Sequence, residues 1–175
     1  MLFENLNHEE RIETLERLHD YLNRKYFNDE LSHTVAFEVA KISGCEVMFM
    51  ADIDDTMIIT FDLQAVIRNK FLANSIGEAA SERRQLQWLV TSMLRAMVYQ
   101  QIYEQDLPDE DYKRLAENVG LMDAGKQTEW INPLRFSFIE HDFSLYQVGR
   151  GAVPLPESFN ADDAPRAESS SLPWH

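Results

Sequence analysis

Ile12, Leu15, Leu18, Leu22 and Tyr26 recur at intervals of three and four, with Glu13, Glu16, Arg17 and Arg24 between them. That period predicts an amphipathic helix with one buried face. Asn7, three residues ahead of Glu10, supplies a capping-box start, and Asn28-Asp29 a terminating turn. The period then falls to two. Val35, Phe37 and Val39 alternate with Ala36, Glu38 and Ala40, and Val47, Phe49 and Ala51 form a second alternating run. Met57-Ile58-Ile59-Thr60-Phe61 has the composition of a third strand, and Asp52-Ile53-Asp54-Asp55 reads as the turn before it. Three short strands in succession predict a small antiparallel sheet, a meander. Leu63 to Leu72 is expected to form a short helix and Asn74 to Gly77 a loop.

Ser81 to Gln105 carries the strongest helical pattern. Leu86, Leu89, Val90, Met93, Leu94, Met97, Val98 and Gln101 cover a wide face, as in a helix buried at the centre of a domain. Leu107-Pro108-Asp109 breaks it, a shorter helix follows over Asp109 to Asn118, and Gly120 closes that one. From Met122 to Gly149 the pattern reads as turns and short strands, with Phe136, Phe138, Ile139, Phe143, Leu145 and Tyr146 completing the core. The fold class is therefore α+β: an N-terminal helix, a three-stranded sheet, a central buried helix and a following short helix. Residues 1–150 form one domain. Residues 151–175 hold four of the six prolines and the run Ser169-Ser170-Ser171, which predicts a disordered tail. Its end, Leu172-Pro173-Trp174-His175, has the character of a docking peptide or of a frayed terminus.

Charge changes the picture of partners. Sixteen Lys and Arg face 30 Asp and Glu, a formal net charge of −14. Such a surface repels phosphate, and no basic patch offsets it, so direct nucleic-acid binding is not expected. A basic or nucleic-acid-binding protein is the expected partner. Cys45 is the only cysteine, which fits a reducing cytoplasm. No apolar run approaches the roughly 20 residues of a membrane span, and the N-terminus lacks a signal-peptide pattern. Oligomeric state is not legible.

The usual chemical constellations are missing. No glycine-rich phosphate loop and no GxSxG elbow occur. His8, His19, His33, His141 and His175 include no HxxxH pair. Asp52, Asp54 and Asp55 lack the glycine and distal glutamate of a calcium loop. Cys45 reads as a small apolar strand residue. No cofactor is expected.

The order of three phrases adds a resemblance. Leu22-Asn23-Arg24-Lys25-Tyr26-Phe27-Asn28-Asp29-Glu30-Leu31 is similar to the opening signature of SprT-like zinc metallopeptidases, an LNxxYFxxxL phrase that ends a helix. Met93-Leu94-Arg95-Ala96-Met97-Val98-Tyr99 stands where that family carries LLHEMxH, and Tyr112 to Met122 resembles the segment after its third histidine. Gly125-Lys126-Gln127-Thr128 resembles versions carried by phages and integrative elements. The resemblance covers residues 10–130 and implies a zincin-like minimal core.

The same alignment leaves the zinc site degenerate. The family needs two imidazoles at i and i+4 and a carboxylate between them to activate zinc-bound water. Arg95 stands for the first histidine, Ala96 for the glutamate, Tyr99 for the second histidine and Pro108 for the third. Arginine stays protonated in proteins and cannot ligate a metal; alanine and proline side chains offer no donor. What the resemblance implies is a catalytically inactive metallopeptidase-like protein that binds or inhibits a protein, including a bacterial host's defence or DNA-handling factor. Two other classes stand beside it. One is an acidic DNA mimic using Glu104, Asp106, Asp109, Glu110 and Asp111, also the candidate partner-binding residues. The other is an enzyme with a different site, such as a metal held by His141 and carboxylates. If the helix register matches the family, Arg95 points inward and meets a carboxylate or backbone carbonyls near Tyr99; otherwise it reaches solvent along an exposed face.

Overall fold

The computed structural model describes residues 3–42, 44–62, 64, 78–123 and 129–148, without the side chains of 78–81 and 144–148. Helix α1 spans His8–Tyr26 and starts with the expected capping box: the Asn7 side chain accepts from Glu10 N, and the Glu10 carboxylate accepts from Asn7 N, both at 2.9 Å. Leu15, Leu18, Tyr21 and Leu22 are buried along it. Asn23 is buried too, and its side-chain amide pairs with both backbone groups of Leu31: Nδ2 donates to the carbonyl at 2.9 Å and Oδ1 accepts from the amide at 3.1 Å. That clip folds the chain back after the helix. It requires left-handed backbone at Asn28 (φ 55°) and Asp29 (φ 58°), which these residue types tolerate best after glycine. Phe27 and Leu31 pack beneath it.

Strands β1 (Val35–Ala40), β2 (Val47–Ala51) and β3 (Met57–Asp62) form one sheet. It is mixed, not an antiparallel meander. β2 and β3 make the expected hairpin, with Val47 opposite Phe61 and Ala51 opposite Met57. β1, however, pairs in parallel with the other edge of β3, Val35 beside Met57 and Ala40 beside Asp62, giving the order β1-β3-β2. The β1–β2 connection therefore carries the chain past β3 before the hairpin closes. With β1 on one edge and β2 on the other, β3 is the central strand, and Ile59 and Phe61 are fully inaccessible. In the β2–β3 turn the Asp52 side chain accepts from the amides of Asp54 (2.9 Å) and Thr56 (3.0 Å), so the aspartate cluster is a turn, as its composition implied. Cys45 lies in the β1–β2 connection and is exposed; the expectation of a small apolar strand residue is corrected.

Helix α2 spans Glu78–Glu104 and packs on β2, α1 and the C-terminal elements. Trp88, Leu89, Val90, Met93, Leu94, Ala96, Met97, Val98 and Ile102 are all buried. A 3-10 turn at Asp109–Asp111 leads into α3 (Tyr112–Asn118), and β4 (Leu121–Asp123) pairs antiparallel with β5 (Glu129–Ile131). The stretch expected to be turns and short strands up to residue 149 instead ends in a helix, α4 (Pro133–Val148). Asn132 caps it, its Oδ1 accepting from Leu134 N at 2.9 Å, with proline at the first helical position. Phe136, Ile139 and Phe143 bury themselves at spacings of three and four. Buried Arg135 lies over the Tyr26 ring at 4.5 Å and donates to the Asn118 carbonyl at 3.3 Å.

The architecture is α+β. No helix among the described residues is long and apolar enough to cross a membrane. The helix expected over Leu63 to Leu72 (Gln64 apart), the Asn74 to Gly77 loop, the Gly125 to Thr128 phrase and the 151–175 tail lie outside the described residues.

Candidate functional site

Of the four positions singled out by the resemblance, Arg95 and Tyr99 come together where α2 meets α3 and β5; Ala96 and Pro108 do not join them. From Trp88 to Ile102 every residue of α2 is buried except Arg95, Tyr99 and Gln101. Arg95 and Tyr99 are four residues apart and share a face. The Arg95 side chain is 28% exposed, and its Nε lies 3.7 Å from Glu129 Oε1 on β5. The same carboxylate oxygen accepts a 2.6 Å hydrogen bond from the Tyr112 hydroxyl. The Tyr99 ring stacks on Tyr112, centroids 4.7 Å apart and planes at 28°. Arg95 is thus neither sunk in the core nor free in solvent: it forms a long ion pair within a small cluster of two phenols and one carboxylate. Burial, ahead of the hydrogen bond to Glu129, pushes the Tyr112 phenol well above its ordinary range, which favours its protonated, donating form.

Ala96 is buried, its methyl part of the core, and Pro108 is exposed at the start of the 3-10 turn. Zinc does not fit these residues. The set offers a guanidinium, a methyl, a stacked phenol and a proline ring, where tetrahedral zinc needs imidazole, thiolate or carboxylate donors. Glu129, the carboxylate that these positions contact among the described residues, is engaged by Arg95 and Tyr112.

An open cleft of about 670 Å³ adjoins this cluster, with Tyr112, Lys113, Glu117, Leu121, Met122 and Glu129 in its walls. Its floor is tight at Gly120. That residue has φ +93°, and a β-carbon there would lie 2.5 Å from Arg135 Cδ.

The acidic residues proposed for partner binding divide. Glu104 turns inward: its two carboxylate oxygens accept from Ser32 N at 3.0 and 3.1 Å, and one also accepts from Gln100 Nε2. It braces the β1 approach and is not part of an open acidic row. Asp106, Asp109 and Glu110 are exposed, and Asp111 pairs with Arg114 at 3.1 Å. His141 is exposed on α4 and joins no group of potential metal ligands among the described residues. The one such group is Asp20, Asp29 and His33 at the end of α1. There the imidazole is already held between two carboxylates, Nε2 at 2.9 Å from Asp29 and Nδ1 at 3.5 Å from Asp20, and Asp20 also pairs with Arg24 at 3.2 Å.

No protein-family model, curated protein or solved structure matches this chain. The functional reading therefore rests on the residues themselves.

Tyr112 and Glu129 were not legible as site residues. Each belongs to a different element from Arg95, and only the packing of α3 and the β4–β5 hairpin against α2 brings them together.

Proposed function

We propose that the chain is a catalytically silent, SprT-like protein-binding module, acting on a basic partner in a reducing compartment such as the cytoplasm. The observation that carries this reading is the content of positions 95, 96, 99 and 108. The helix frame around them is packed as a core, yet none of the four offers a zinc ligand or a general base. The Asn23–Leu31 clip gives the LNxxYFxxxL phrase a purely architectural role, consistent with a scaffold that outlives its chemistry. In place of a metal dication, Arg95 and Glu129 link α2 to β5. A module of this kind supplies shape and charge to its partner, and a net charge of −14 selects a basic one.

Imitation of DNA is the weaker reading. It asks for a row of carboxylates, and with Glu104 turned inward and Asp111 paired, Asp106, Asp109 and Glu110 remain at that junction.

The test is elemental analysis of dialysed protein beside a peptidase assay on an unfolded protein substrate. Zinc well below one equivalent and no chelator-sensitive cleavage are expected. Zinc retained at about one per chain, or cleavage abolished by chelator, overturns the reading.

A further inference from the structure

We infer that the solvent face of α2 is a docking ledge for an arginine-bearing segment of the partner protein; this rests on the protein-binding reading above and names the surface and its occupant. Four rings line the ledge. Tyr99 and Tyr103, 49% and 40% exposed, stand one turn apart on α2. Tyr103 meets Phe49 of β2 at 5.9 Å, and Tyr99 stacks on Tyr112 of α3. The rings thus form two contacting pairs, set side by side by the one-turn spacing of Tyr99 and Tyr103 on α2. Tyrosines so placed expose flat π-faces that bind cations, guanidinium above all. The chain already uses this pairing internally, with Arg83 over Phe136 at 5.0 Å and Arg135 over Tyr26 at 4.5 Å.

Charge complementarity selects the occupant. At one end the Tyr103 hydroxyl donates to Asp55, beside Asp52 and Asp54 of the β2–β3 turn. At the other end stand Glu129, already neutralised by Arg95, and the exposed Asp109 and Glu110 next to Tyr112. The last turn of α2 has no basic residue, so the negative end of a 27-residue helix adds to the same field. Against these stand Lys113 and Arg114, and Arg114 is held by Asp111. An arginine satisfies both demands at once, its plane on a ring and its donors toward a carboxylate. Lysine satisfies only the charge.

The experiment titrates the full chain into short fluorescein-labelled arginine–glycine and lysine–glycine repeat peptides, followed by fluorescence anisotropy. Three variants are compared: Tyr99→Leu/Tyr103→Leu, Tyr99→Phe/Tyr103→Phe, and Asp109→Asn/Glu110→Gln. The arginine peptide is expected to bind more tightly than the lysine peptide. The leucine pair should weaken it by about tenfold and erase its advantage over lysine, whereas the phenylalanine pair keeps it. The amide pair should weaken both peptides alike, with a shallower salt dependence. If the leucine pair melts early, Tyr99→Leu alone replaces it, with an expected loss of about threefold. Binding unchanged by leucine, equal losses for both peptides, or no binding by the parent chain overturns the ledge. So does a parent dimer that the leucine pair converts to monomer in sedimentation, since a second copy would then be the occupant. Each of these can occur in a zinc-free, inactive protein, whereas bound zinc overturns the underlying reading whatever the peptides do.

Discussion

Replacing Arg95 by alanine tests the centre of the candidate site, and the geometry sets the size of the effect. At 3.7 Å and an effective dielectric near that of a protein surface, the Arg95–Glu129 attraction is about 4–5 kcal/mol before desolvation. Most of that is lost to the cost of withdrawing both charges from water. The separation is longer than a charge-assisted hydrogen bond, and Arg95 Nε has no hydrogen-bond partner. The side chains retain 28% and 24% exposure, so water screens what remains. The pair therefore sits between an exposed one, whose loss costs up to about 1 kcal/mol, and a sealed one, whose loss costs about 3–5 kcal/mol. The expected loss for Arg95→Ala is about 1–2 kcal/mol, part of it from the partly buried aliphatic stem. Equilibrium urea unfolding at constant m-value measures it. A double-mutant cycle with Glu129→Gln should return a coupling of about 1 kcal/mol. A loss under about 0.5 kcal/mol with no coupling would mean that the contact carries nothing. A loss above about 3 kcal/mol would mean that the guanidinium is a sealed strut, and the partial exposure described above would be wrong.

Glu104→Gln should cost about 1–2 kcal/mol, because it weakens acceptance from the Ser32 amide, whereas the exposed pair Asp109→Asn/Glu110→Gln should change stability by less than about 0.5 kcal/mol; urea unfolding separates them. Gly120→Ala should lower stability by about 2–4 kcal/mol, combining a left-handed φ with a 2.5 Å approach to Arg135, while Gly44→Ala, with φ +88° and open space, should cost only the conformational part of about 1–2 kcal/mol. Burial lowers the pKa of His19, whose Nε2 lies 2.8 Å from Gln100 Oε1. The unfolded chain therefore binds the proton more readily, so stability should be complete above the ordinary value of 6.5 and fall as pH drops below it; His19→Gln should flatten that slope in unfolding measured across the window.

Local signals carried most of the elements and few of the contacts between them. The α1 capping box, the apolar face of α2 and the alternation of β1 are properties of neighbouring residues, and each reappears in the fold. Strand order is not such a property. Nothing within Val35–Ala40 says that it will pair in parallel with β3 rather than antiparallel with β2; that depends on where the intervening connection runs. Helix α4 was obscured by its aromatic residues, which favour strands, although Asn132-Pro133 is a cap-and-first-turn signal. Of the positions named from the sequence, 95, 96, 99 and 108, only Arg95 and Tyr99 meet the cluster. The meaning of these two was not legible, because Glu129 and Tyr112 arrive from separate elements.

The partly exposed stripe on α2 bears on function independently of any kinship. Between Trp88 and Ile102 the helix is enclosed on nearly all sides, and apart from Gln101 only Arg95 and Tyr99 escape; Tyr103 extends the same face by one turn. Helix formation by itself needs nothing specific at such positions. Lysine, glutamate or glutamine would serve the helix at least as well and keep the surface soluble. The chain instead has arginine, tyrosine and tyrosine, the residue types most enriched where protein surfaces bind one another. The tyrosines remain half exposed, so burial does not account for them, and Tyr103 makes its hydroxyl contact to a turn aspartate at the surface and not to the core. Stability thus explains the buried sides of α2 and accounts for this one only in part, through the Arg95–Glu129 pair and the Tyr99–Tyr112 stack. If the resemblance to metallopeptidases were accidental, the zinc argument would lose its object, but the aromatic stripe and its acidic ends would still be the surface to test first.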